Sequence, residues 1–116
     1  MKRLLNLILI ILFAGSFNSC EDLFENGKVT YEVTCYPSNF SITYENSSGN
    51  TEQQSVSSNS WSTSFSAQSG DFVYISAQAE NENADIYVSI KYKGNIIEES
   101  SSSGDYVIAT ASGAIP

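Results

Sequence analysis

The chain predicts an all-β fold: an Ig-like antiparallel β-sandwich of seven to eight short strands, preceded by an N-terminal signal segment. Three observations carry this. From Lys28 onward, apolar and polar residues alternate with period two, the mark of half-buried strands. Turn-forming clusters of Gly, Asn, Ser and Pro recur every several residues. No part of this region holds a helical period over three turns. A chain of 116 residues fits one such domain. A small closed barrel is the alternative architecture.

The first residues read as an address. Met1-Lys2-Arg3 is basic, and residues 4–14 are apolar except for Asn6. A short polar stretch then leads to Cys20. Basic, apolar and small-residue regions in this order make a secretory signal. The apolar run is about half the ~20 residues that a transmembrane helix needs. Phe17-Asn18-Ser19-Cys20 resembles a bacterial lipobox, with a small residue before the cysteine that becomes acylated. Phe17 stands where an aliphatic residue is usual. The competing reading is ordinary signal cleavage after Ser16, with Ala14 and Ser16 as the small pair. The lipobox reading makes residues 1–19 a lipoprotein signal peptide, residues 20–27 an acidic lipid-anchored tether and residues 28–116 the sandwich. Glu21-Asp22 resembles the acidic export signal of Bacteroidetes lipoproteins. It implies an outer-membrane lipoprotein at the cell surface, with the periplasmic face as the second placement.

The strands follow in order. Val29, Tyr31, Val33 and Cys35 alternate with Thr30, Glu32, Thr34 and Tyr36. Pro37-Ser38-Asn39 turns the chain into Phe40, Ile42 and Tyr44. Residues 51–57 have Val56 as their only apolar side chain and read as an edge, guarded by Glu52, Gln53 and Gln54. Trp61, Thr63, Phe65 and Ala67 alternate with serines. Residues 71–79 are the most apolar strand. Asn81-Glu82-Asn83 reads as a loop, and Ile86, Val88, Ile90 and Tyr92 as the next strand. Gly94-Asn95 reads as a tight hairpin, because both residues tolerate positive φ. Residues 96–99 return, residues 100–104 read as a serine-rich loop, and residues 106–111 as the last strand. The segment Gln68-Ser69-Gly70-Asp71-Phe72-Val73 is echoed by Ser102-Ser103-Gly104-Asp105-Tyr106-Val107. Two copies read as shared turn grammar, since a solenoid needs at least three.

Composition narrows the function. The formal charge is −8 and there is no histidine. The signal carries away Lys2 and Arg3, leaving three lysines against thirteen carboxylates. Such a chain is a poor partner for phosphate backbones, so no nucleic-acid role is expected. Without histidine the commonest general base and metal ligand are missing. The expectation is no enzyme, no catalytic residue, no metal and no cofactor.

Cys35 lies on the apolar phase of its strand and reads as a buried free thiol, since no nearby cation or helix N-terminus is evident to activate it. Glu80, Glu82 and Asp85 make an oxygen-rich loop without the order of a helical calcium site, and read as a solvated turn. Glu98-Glu99 reads as a charged strand end. Trp61 shares a face with Phe65 and reads as core. Tyr36 and Tyr87 fall on the polar phase and are the candidate contact aromatics.

Val29-Thr30-Tyr31-Glu32-Val33 resembles the opening V-x-Y-E-V strand of the extracytoplasmic domain of the mycobacterial small membrane protein family (MmpS). Ile42-Thr43-Tyr44, Trp61-Ser62-Thr63 and Ala77-Gln78 follow in that family's order. Val88-Ser89-Ile90 and Lys93-Gly94-Asn95 match more loosely. The resemblance implies a sandwich of about seven strands and a role as accessory to large lipid and siderophore exporters. The family's transmembrane helix is replaced here by the lipobox, and its paired cysteines are unmatched. The resulting expectation is a binding or accessory subunit beside a transport-related membrane complex, attached to the membrane through lipidated Cys20. The alternative is a surface glycan-binding or adhesin module. Acylation of Cys20, for example by palmitate, would supply the anchor.

Overall fold

The computed structural model describes residues 27–116. The expected signal peptide, lipidation at Cys20 and export signal at Glu21-Asp22 all fall outside the described residues. Eight strands form: β1 (Lys28–Tyr36), β2 (Phe40–Glu45), β3 (Thr51–Val56), β4 (Ser60–Ser66), β5 (Phe72–Ala79), β6 (Ala84–Tyr92), β7 (Asn95–Gly104) and β8 (Ile108–Ala114). They make two antiparallel sheets, ordered β4-β1-β6-β7 and β3-β2-β5-β8. The architecture is a sandwich of two open sheets, so the closed barrel does not describe it. The sheets interlock: β1 pairs β4 in one, while β2 pairs β5 in the other.

The period-two pattern decides which face each residue takes. Val29, Tyr31, Val33 and Cys35 point inward from β1, and Ile86, Val88 and Ile90 from β6. Phe40, Ile42, Val73 and Ile75 meet them from the second sheet. Each such side chain contributes about 1.5–3 kcal/mol when fully buried. Alanines at 77, 79, 109 and 111 line the inner face of β5 and β8 and leave room for the larger residues opposite. Trp61 and Phe65 are half-buried against this core, as expected. The Trp61 ring lies 5.1 Å from Tyr44, and Phe65 meets Tyr31 edge-on at 5.3 Å.

Tyr31 joins the two sheets. It is fully buried, and its hydroxyl donates to the Glu45 carbonyl at 2.8 Å and accepts from the Tyr74 amide at 3.2 Å. The β2–β5 register ends at Tyr44 and Ile75. Glu45 and Tyr74 would be the next partners in that register. A hydroxyl from the opposite sheet therefore takes the place of the next ladder bond.

Three stretches differ from the sequence reading. Residues 100–104 are strand, not loop: Ser100, Ser101, Ser102 and Ser103 continue β7 along β6. Pairing with β6 supplies the order that apolar residues would otherwise provide. The β6–β7 turn sits one residue earlier than Gly94-Asn95. Its positive-φ residues are Lys93 (φ 55°) and Gly94 (φ 83°), the two central positions of a type I′ hairpin. The last strand begins at Ile108 rather than Tyr106, because Tyr106 has a φ of 53° and belongs to the turn. The two echoed segments also differ in use. Asp71 accepts the Gln68 amide and closes its own turn, whereas Asp105 accepts the Asn83 amide and ties two loops together. β3 is an exposed edge, as expected.

Three outcomes are expected. Replacing Lys93 with asparagine relieves left-handed strain in a residue that tolerates it poorly. Calorimetry should show a melting temperature higher by about 2–6 °C, less the exposed contact of Lys93 with the Tyr92 ring. Tyr31→Phe strands the Glu45 carbonyl and Tyr74 amide, and denaturant unfolding should register a loss of about 1–3 kcal/mol. Burial first of all pushes the Tyr31 hydroxyl up to about 12 from 10. The folded chain thus keeps this proton at a pH where the unfolded chain has lost it. Stability from this group is intact below pH 10 and falls as pH rises toward 12. The alkaline loss should be smaller in Tyr31→Phe than in the parent chain.

Candidate functional site

The outer face of the first sheet is hydroxyl-rich. The register sets Ser60, Thr34, Tyr87 and Ser101 side by side across β4, β1, β6 and β7. One step along, Tyr36, Asp85 and Ser103 form a second row on β1, β6 and β7. These residues line a shallow depression of about 460 Å³, with Asn59 at its rim. The structure thus brings Tyr36 and Tyr87, the two candidate contact aromatics, onto adjacent strands around one hollow. Diagonal neighbours across an antiparallel pair lie ~7–8 Å apart, within reach of aromatic side chains.

The two tyrosines differ in freedom. Tyr36 is 72% exposed. Tyr87 is half-buried, and its hydroxyl donates to the Glu99 carboxylate at 2.6 Å. That bond, more than burial, raises its pKa above the usual tyrosine value. The hydroxyl is thereby tied to β7, two residues along from Ser101, the register partner of Tyr87. Asp85 is also held, accepting the Ser103 hydroxyl at 2.5 Å. Beyond Tyr87, Glu32 and Lys91 form an ion pair at 3.2 Å over the fully buried Ser89. Half-exposed as it is, that pair contributes little to stability.

The other candidates separate. Asp85 is in β6 rather than in the loop with Glu80 and Glu82, so those three carboxylates do not form one turn. Among the described residues, no group of three or more Cys, Asp or Glu could hold a metal ion. Glu98-Glu99 lies inside β7, not at a strand end, and successive residues there face opposite ways. Glu99 meets Tyr87, while Glu98 lies against Gly113 of β8. Cys35 is buried beneath the hollow's wall and donates from Sγ to the Pro37 carbonyl at 3.2 Å. Sequence reasoning missed Ser101, Ser103 and Asp85 as neighbours of the tyrosines. Ser100 to Ser103 is an unbroken serine run, so it carried no alternation that could have marked a strand.

All four loops at the Tyr36 end lie opposite Gly27, where the described chain begins. β1 spans nine residues between these ends, roughly 27 Å at ~3.3 Å per residue. Tyr106 and Ile108, both exposed, also lie at the Tyr36 end. No helix among the described residues is long and apolar enough to cross a membrane. No protein-family model and no curated protein matches the chain.

Burial, followed by the Asp85 charge, raises the Cys35 thiol above its usual pKa. Reactivity follows the thiolate. With Cys20 acylated or replaced by alanine, the native chain at pH 8 should react with iodoacetamide far more slowly than the same chain in guanidinium. Rapid alkylation of the native chain would show that the thiol is neither shielded nor held in its neutral form.

Proposed function

We propose that the protein is a non-enzymatic, lipid-anchored binding protein of the cell envelope. It is held in the outer membrane through Cys20 and works as a binding or accessory subunit beside a larger membrane complex. One observation carries the reading: the Tyr36–Tyr87 hollow lies at the end of the domain opposite Gly27. A chain anchored through Cys20 offers that hollow away from the bilayer. The Glu21-Asp22 pair supports display on the outer leaflet, with the periplasmic face as second placement. The accessory role is the form of binding that the MmpS resemblance implies. A second reading, a surface glycan-binding or adhesin module, is favoured by the paired tyrosines and the hydroxyl-bearing wall of the hollow.

The test has two arms. Cys20→Ala should move the protein from the membrane fraction to the soluble fraction; unchanged membrane association would rule out the anchor. Cross-linking of the lipidated chain in intact cells should capture partners that are lost when Tyr36 and Tyr87 are both replaced by alanine. An identical capture pattern with the doubly substituted chain would remove the hollow from the contact surface.

A further inference from the structure

We infer that the Tyr36–Tyr87 hollow binds a neutral saccharide. The inference rests on the binding reading above and names its ligand. Three properties of the hollow point the same way.

The first is the pairing of ring faces with hydroxyl partners. A pyranose has an apolar C–H face and a polar rim. Tyr36 and Tyr87 offer rings for the face, while Thr34, Ser101, Ser103 and Asp85 offer donors and acceptors for the rim. The hollow's volume of about 460 Å³ falls in the range of small-ligand sites. The row from Ser60 to Ser101 crosses three strand spacings, about 14 Å, which suits a short oligosaccharide better than a single small solute.

The second is charge. No lysine or arginine lines the hollow, and the whole chain carries −8. An anionic ligand would find repulsion and no counter-charge. A cation could use the ring faces and the Asp85 carboxylate, but that carboxylate already accepts the Ser103 hydroxyl, and a point charge would leave most of the hydroxyl rows unused. A neutral polyhydroxylated ligand uses both.

The third is that the wall is fixed before any ligand arrives. Glu99 holds Tyr87, and Ser103 holds Asp85. Ordering side chains on binding costs about 0.5–1.5 kcal/mol for each flexible one. Here two of the contact groups are already ordered.

The experiment is isothermal titration of the full lipidated chain in detergent micelles. The probes are the neutral hexasaccharides of cellulose, xylan, mannan and starch, with hexalysine and hexagalacturonate as charged controls. At least one neutral hexasaccharide should bind. Tyr36→Ala should weaken it by about tenfold or more, and Tyr36→Phe should retain it, because the ring face does the stacking. Tyr36 is largely exposed, so its replacement should leave the melting temperature unchanged, and this is measured alongside. No heat from any neutral probe overturns the inference, as does binding that Tyr36→Ala leaves intact. Binding of hexalysine alone assigns the hollow to cations, and binding of hexagalacturonate alone assigns it to anions; either result overturns the inference too. The binding reading stands or falls separately, on the capture experiment above.

Discussion

One hydroxyl group joins the two halves of this sandwich. Tyr31 rises from the middle of the first sheet and places its oxygen between the Glu45 carbonyl and the Tyr74 amide of the second. It stands where the next ladder bond between β2 and β5 would be, and relays between the two strands. Every strand near it is then constrained. Phe65 and Tyr44 pack edge-on against the Tyr31 ring, and Trp61 leans on Tyr44. β1 cannot slip by one residue without withdrawing the hydroxyl and turning Tyr31 to solvent. That fixed register sets Thr34 and Tyr36 outward, opposite Tyr87 and Asp85.

Much of this was legible in the sequence. The alternation and the turn clusters placed every strand but the second half of β7 within a few residues, and period two put Tyr36 and Tyr87 outward while Trp61 and Phe65 went in. What escaped had a physical cause. Residues 100–104 contain no apolar side chain, so nothing local distinguishes them from a loop; they are strand because β6 supplies partners. Lys93 is a poor candidate for positive φ, yet the hairpin register forces it there. Tyr31 and Tyr44 look alike on an apolar phase. The facing sheet gives the Tyr31 hydroxyl two backbone partners, while the Tyr44 hydroxyl finds Glu52 across the β2–β3 pair of its own sheet.

The site itself was half visible. Its aromatics could be named from their phase, but their proximity depends on β1 and β6 being neighbours, although Tyr36 and Tyr87 stand 51 positions apart in the chain (87 − 36). Its polar wall comes from the serine stretch that lacks any local mark of strand. Serines suit such a wall. They keep the surface wetted, contribute little to packing, and each hydroxyl can both donate and accept.

The placement of the ends has a mechanical consequence. Were the chain anchored through Cys20 as proposed, a load taken up at the hollow would act on the far ends of β1, β6 and β7 and be resisted at the near end of β1. The pull would then run along the strands. Bonds between β1 and its neighbours lie across that direction, so many are stretched together instead of being opened one at a time like a zip. A domain tethered at the other end of a hairpin would peel. This one would shear, and the ladders flanking β1 would yield only as a group.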